Sequence, residues 1–185
     1  MTHLTRRTLI LTAAAAALAT PAVAQATVDL AKINEPSIIG EMFLGPADAK
    51  VTLIEYASAS CPHCRDFYKG AYQDLKKDYI DTGKIRFVFR EFPHNQEALA
   101  AFMLARCAPK EKYFPLVDMF FEQQDVWTQN PMDGLFKIAQ LAGFTKESFD
   151  ACLKNETVAK GIIDVRNLAD QSFGVDGIPT FFLNG

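Results

Sequence analysis

Val51-Thr52-Leu53-Ile54-Glu55-Tyr56 is β-branched and aromatic with almost no polar break, the pattern of a strand buried on both faces. From position 64 to 80 the apolar residues Phe67, Tyr68, Ala71, Leu75 and Tyr79 recur at helical spacing, and Gly83 marks the end. Ile85-Arg86-Phe87-Val88-Phe89-Arg90-Glu91-Phe92 reads as a second strand. Strand, helix and strand in close succession make a βαβ unit, whose strands are most often parallel and joined by a right-handed crossover. The pattern then turns helical over 96–108, 112–123, 132–142, 146–154 and 157–173, with short polar breaks. Strand character returns only at Thr180-Phe181-Phe182-Leu183, directly after Ile178-Pro179. The expected fold is α/β, with an all-helical insertion over about 95–173 between sheet strands. Residues 25–50 mix polar side chains with Pro36, Gly45 and Pro46 and read as a loosely held arm, which leaves 51–185 as the folded domain. Most of Phe87, Phe89, Phe102, Phe120, Phe121, Phe136 and Phe149 fall on core-facing periods, while Trp127 is expected in a loop near Pro131.

The first residues follow a different logic. Arg6 and Arg7 precede a short apolar run from Leu9 to Ala19, and Ala22-Val23-Ala24 offers a small-x-small cleavage site, so 1–24 reads as a signal peptide. The alternative, an uncleaved anchor, wants roughly 20 apolar residues. Thr5-Arg6-Arg7-Thr8-Leu9-Ile10 also resembles a twin-arginine signal, so the Sec and Tat routes both stay open. Cleavage after Ala24 removes two arginines and no acid, taking the formal net charge from −3 to −5. A mildly acidic chain with no basic run is a poor partner for nucleic acid or for anionic membrane surfaces, and no later segment is apolar enough to anchor it.

An exported chain with four cysteines, Cys61, Cys64, Cys107 and Cys152, is expected to carry disulfides. Cys61-Pro62-His63-Cys64 sits at the strand-to-helix turn of the βαβ unit, a redox signature. Unpaired N–H groups at a helix start carry roughly half a positive charge and favour a thiolate on Cys61, and a protonated His63 adds to that field. A stabilised thiolate favours the reduced enzyme and makes the disulfide oxidising. Cys64, deeper in the helix, is the expected resolving thiol. A zinc site would need two more ligands, and no second CxxC or nearby His pair supplies them, so no metal is expected. Thiol exchange itself needs no cofactor. Cys107 and Cys152 lie on separate predicted helices, where a structural disulfide is the first expectation and two unpaired core thiols the alternative. His94 is read as a solvated loop histidine without a role.

Cys61-Pro62-His63-Cys64 after a first strand, a helical insertion, and Gly177-Ile178-Pro179-Thr180 far downstream together resemble the DsbA-type branch of the thioredoxin superfamily, over about 51–185. The resemblance implies a cis-proline loop at Ile178-Pro179 packed against the cysteines, where Ile178 could pair its backbone with an extended substrate. It also implies a buried acid six positions before the first cysteine, which here is Glu55, placed to move a proton to or from Cys64; a solvated strand-edge glutamate is the alternative. The implied protein is a periplasmic oxidase that donates its disulfide to reduced or unfolded exported proteins and is reoxidised by a membrane quinone reductase of the DsbB type. A reductase or isomerase, or a periplasmic chaperone that keeps its cysteines unused, are the competing functions. Asn184-Gly185 is a hairpin-turn signal, and the superfamily continues with a further strand and helix, so a C-terminal truncation is expected.

Overall fold

The computed structural model describes residues 30–185, so the signal-peptide reading of 1–24 lies outside the described residues. Strands β1 (Met42–Leu44), β2 (Val51–Ala57), β3 (Ile85–Glu91) and β4 (Thr180–Leu183) form one sheet in the order β1-β3-β2-β4. β2 and β3 are parallel, with Glu55 opposite Phe89, and the outer strands run antiparallel to them. A short helix α1 (Leu30–Ile33) precedes the sheet.

Two departures from the sequence reading have local causes. The region read as an arm contributes β1, a three-residue strand too short to show any period. It is followed by Gly45 at φ +82°, where a Cβ would meet the Ile85 carbonyl oxygen at 2.2 Å, so only glycine lets the chain run this close to β3. The single helix expected over 64–80 is instead α2 (Pro62–Lys69), a break at Gly70, α3 (Ala71–Leu75) and a wider π turn at Lys76–Ile80. Gly70 leaves helical geometry at φ −112°, ψ −104°, at one of the residue types where helices kink. The apolar face survives the break, since Tyr68 and Tyr72 remain buried and stack at 4.3 Å.

The helical stretch comprises α4 (Gln96–Cys107), α5 (Tyr113–Glu122), α6 (Gln124–Trp127), α7 (Pro131–Leu141), α8 (Lys146–Leu153) and α9 (Glu156–Phe173), close to the expected bounds. Side-chain caps fix three of the starts: Asn95 accepts from Ala98 N–H, Thr145 and Ser148 form a capping box, and Asn155 accepts from Val158 N–H. Trp127 is not in a loop; it is buried on α6 and donates its indole N–H to the Phe120 carbonyl at 2.7 Å.

Alternation along the central strands makes two cores. Ala57, Phe87 and Phe89 face the α2–α8 side, whereas Ile54, Tyr56 and Val88 face α1 and the second half of α9. α9 therefore serves both: Ile162 packs in the first core, and Val165, Ala169 and Phe173 in the second. At the end of β3, the fully buried Glu91 accepts from Arg106 at 2.9 Å and from the Tyr113 hydroxyl at 2.6 Å, which ties α4 and α5 to the sheet. Cys107 and Cys152 are joined in a disulfide between α4 and α8. Asn184, at φ 59°, exchanges hydrogen bonds with Thr52 at the start of β2: its N–H donates to the Thr52 carbonyl at 2.8 Å, and its side-chain oxygen accepts from Thr52 N–H at 2.9 Å. Among the described residues no helix is long and apolar enough to cross a membrane.

Candidate active site

β2 ends at Ala57, the chain turns through Ser58, Ala59 and Ser60, and Cys61 takes the N-cap position of α2. Pro62 follows at the first helical position, where its missing N–H is not needed. This short turn puts two sulfurs on one helix start with different exposures. Cys61 keeps 6 % of its surface open to solvent, whereas Cys64, one turn further on, has none. Neither takes part in the Cys107–Cys152 disulfide. Pro62 and His63 lie exposed on the same first turn.

The Ile178-Pro179 bond is cis, and the Ile178 carbonyl oxygen lies 3.7 Å from the Cys61 sulfur, which can donate its S–H to it. Residues 117 positions apart in the chain thus meet at one sulfur, because β4 pairs with β2 and starts beside the strand that leads into Cys61.

Burial pushes the Cys64 thiol far up from its ordinary value; a hydrogen bond from the Ser58 backbone partly opposes this, and neighbouring Cys61 and Glu55 push the same way as burial. Glu55 has no exposed surface. Strand alternation and its pairing with Phe89 put its side chain on the α2 side of the sheet, among the groups whose charge Cys64 feels. Neither carboxylate oxygen has a hydrogen-bond partner among the described residues, and burial holds the acid well above the usual glutamate range. Glu55 is therefore not a solvated strand-edge residue.

That burial has a stability consequence of definite sign. A carboxyl whose folded pKa exceeds its unfolded value keeps more protons folded than unfolded, so stability falls as pH rises from the ordinary glutamate range through the folded value. Glu55→Gln cannot ionise and should be more stable than the parent at neutral pH, with a gain that widens as pH increases. Each pKa unit of the shift corresponds to about 1.4 kcal/mol. Urea unfolding of both proteins from pH 5 to 9 checks this, and parallel stability curves would refute it.

Further residues hold the site together and carry no pattern in the sequence. Gln124, 2 % exposed on α6, donates both side-chain hydrogens, to the Ala59 carbonyl at 2.8 Å and to the Cys61 carbonyl at 3.0 Å. The helical cap thereby clamps the cysteine turn from above. Arg65 pairs with Asp125 next to it, and the Ser60 hydroxyl meets Asn95 Oδ1 at 2.9 Å. His94 is exposed, as expected of a loop histidine, but its Nδ1 lies 2.8 Å from the buried Ser58 hydroxyl, and partial burial lowers its pKa.

Comparison with known proteins places this geometry. The family model described as Thioredoxin matches residues 37–185. A Rickettsia bellii protein named a protein-disulfide oxidoreductase is 36 % identical over 157 residues, covering 83 % of this chain and 59 % of its own. The chain therefore spans under two thirds of that relative's length. The crystal structure of Wolbachia pipientis alpha-DsbA1 superposes with a TM-score of 0.73 at 33 % identity, over 77 % of this chain and 74 % of that one. Oxidised BdbD from Bacillus subtilis superposes at 0.70 with 25 % identity, over 81 % and 84 %. With a family match that spans the cysteine turn, the sheet and the Ile178-Pro179 loop, the chain belongs to the thioredoxin superfamily, in its DsbA-type branch.

Proposed function

We propose that this protein is a thiol:disulfide oxidoreductase that acts as an oxidase on reduced exported proteins in the periplasm. The observation that carries the reading is the pairing of the less deeply buried cysteine, Cys61, its sulfur lying against the Ile178 backbone, with the wholly buried Cys64, near a buried acid. In the oxidised enzyme a substrate thiolate attacks Cys61, the Cys61–Cys64 bond breaks, and Cys64 leaves with the electron pair. Cys64 is too deeply buried to persist as a thiolate, so it takes a proton, which Glu55 supplies from its protonated carboxyl. A second substrate thiolate then attacks the substrate sulfur of the mixed disulfide and releases Cys61 as thiolate. The substrate has lost two electrons and gained a disulfide; the enzyme holds the dithiol.

The cis-proline loop gives the substrate a backbone edge to lie along, which reads little side-chain sequence and suits unfolded chains of many kinds. His63, at the exposed first turn, adds positive charge near Cys61 when protonated, and Pro62 rigidifies that turn. Export is supported by Arg6-Arg7, the Leu9-to-Ala19 run and Ala22-Val23-Ala24. A quinone-linked membrane partner of the DsbB type would return the disulfide.

Equilibration of the Cys61/Cys64 couple with glutathione tests the direction of transfer. An oxidase should sit towards the roughly −120 mV of the strongest oxidants in this superfamily, while a value near about −270 mV would make the protein a reductase.

A further inference from the structure

We propose that Tyr68, Tyr72 and Asp118 form a proton path that connects Glu55, beneath the cysteines, to solvent between α2 and α5. It rests on the reading of Glu55 as the proton donor to Cys64. Once Glu55 has given its proton to Cys64 it is left as a buried carboxylate without a partner, a state that burial disfavours, so a proton drawn from solvent replaces the one given. Glu55 must be reprotonated after each transfer to Cys64, and must release a proton when Cys64 is deprotonated for reoxidation.

Eight buried side-chain N and O atoms among the described residues lack a hydrogen-bond partner, and five of them belong to this one region: both Glu55 oxygens, the Tyr68 and Tyr72 hydroxyls, and Asp118 Oδ1. Orphaned buried polar atoms are rare singly, and a cluster of them points to a chain of ordered water or to proton exchange between them. Ring packing and mutual electrostatics make them neighbours. Tyr68 packs edge-on to Phe89, the register partner of Glu55, at 6.3 Å between ring centres, and stacks on Phe121 of α5 at 4.0 Å and on Tyr72 at 4.3 Å. Both tyrosines feel the charges of Glu55 and Asp118.

On the far side, Tyr68 and Asp118 line a cavity of about 240 Å³ together with Gln73 and Glu122, open to the surface and large enough for several waters. Asp118 is half-buried at its wall, and burial, with the like charge of Glu122 and against the nearby Lys76, raises its carboxyl to about 6. Lys76 is itself paired with Asp81, and Lys69, also on the cavity wall, with Asp125, so neither neutralises Asp118 by direct contact. A surface carboxyl that exchanges protons near neutrality is suited to load and unload such a chain. Each tyrosine hydroxyl accepts one proton from the water side as it gives one to the Glu55 side, and reverses on reoxidation, so no charge remains on the path.

The test measures steady-state oxidation of dithiothreitol over many turnovers, with glutathione disulfide as terminal oxidant, from pH 5 to 8, in the parent and in Glu55→Gln, Asp118→Asn, Asp118→Glu and the double variant Tyr68→Phe/Tyr72→Phe. The phenylalanines keep the ring stack, and the glutamate keeps a carboxyl at the cavity. The path predicts that Asp118→Asn and the tyrosine double variant each slow the reaction about tenfold, less than the roughly 10²- to 10⁴-fold of a general acid itself. Asp118→Asn should also lose an inflection near pH 6 that Asp118→Glu retains. Equilibrium potentials should stay unchanged, because the path moves protons without altering either end state. If Glu55→Gln is slow while the other variants match the parent in rate and profile, the path is wrong and Glu55 keeps its role. If Glu55→Gln matches the parent, both ideas fall.

Discussion

Cys61→Ser should abolish oxidation of a dithiol peptide, with a rate at least about a thousand-fold below the parent and set by uncatalysed exchange alone. The loss is this large because the residue does two things that nothing nearby replaces. Its sulfur is one half of the bond that accepts the electron pair, and its residue is the one of the two that keeps any exposed surface, 6 % against none for Cys64. Cys64→Ser should behave differently. Offered glutathione disulfide, its Cys61 thiolate can still attack one sulfur, form a mixed disulfide and release glutathione thiolate, but no internal thiol can resolve the product, so the covalent adduct should accumulate and be visible by mass. Serine is close in size to cysteine, and near-UV circular dichroism should confirm unchanged packing. An adduct that accumulates in Cys61→Ser and not in Cys64→Ser would exchange the two roles and undo the mechanism.

The difference between the two cysteines is legible in the sequence, since the spacing of Cys61 and Cys64 on a predicted βα turn already places one at a helix start and the other a turn inward. Long apolar helical segments are equally plain: α9 buries one stripe and α4 is buried on every side over Ala101–Ala105, and the polar breaks around them locate both ends to within a residue or so. Other features are hidden for physical reasons. β1 is three residues long, and no period can be read from three residues. The break at Gly70 is invisible because the apolar stripe crosses it undisturbed, Tyr68 and Tyr72 stacking as they would on a continuous helix. Gln124 clamps the Cys61 turn from 63 positions away, a long-range contact that leaves no trace in local composition. Tyr68 reads only as one more apolar position at helical spacing, and the lack of a partner for its buried hydroxyl, shared with Tyr72, is what sets it apart. Glu55 lies between these cases: its position is suggested by resemblance, while its complete burial and unpartnered oxygens come from the sheet register.

The double variant Cys107→Ser/Cys152→Ser should lose about 4 kcal/mol of stability, because the cross-link closes a loop of 45 residues and, in the chain-entropy model, restricts the unfolded chain by that amount. For a domain of this size the fall in Tm is roughly 8–16 °C. The clip joins α4 to α8, whereas the cysteine turn is held by Gln124 from α6 and by Ile178 from the loop before β4. Activity at low temperature should therefore persist, with dithiol oxidation close to the parent rate while the fold holds. Thermal unfolding followed by circular dichroism, in parallel with the oxidation assay at 15 °C, measures both halves. Equal melting temperatures would remove the entropic argument, and loss of activity with the fold intact would mean that the cap's clip also positions the cysteines.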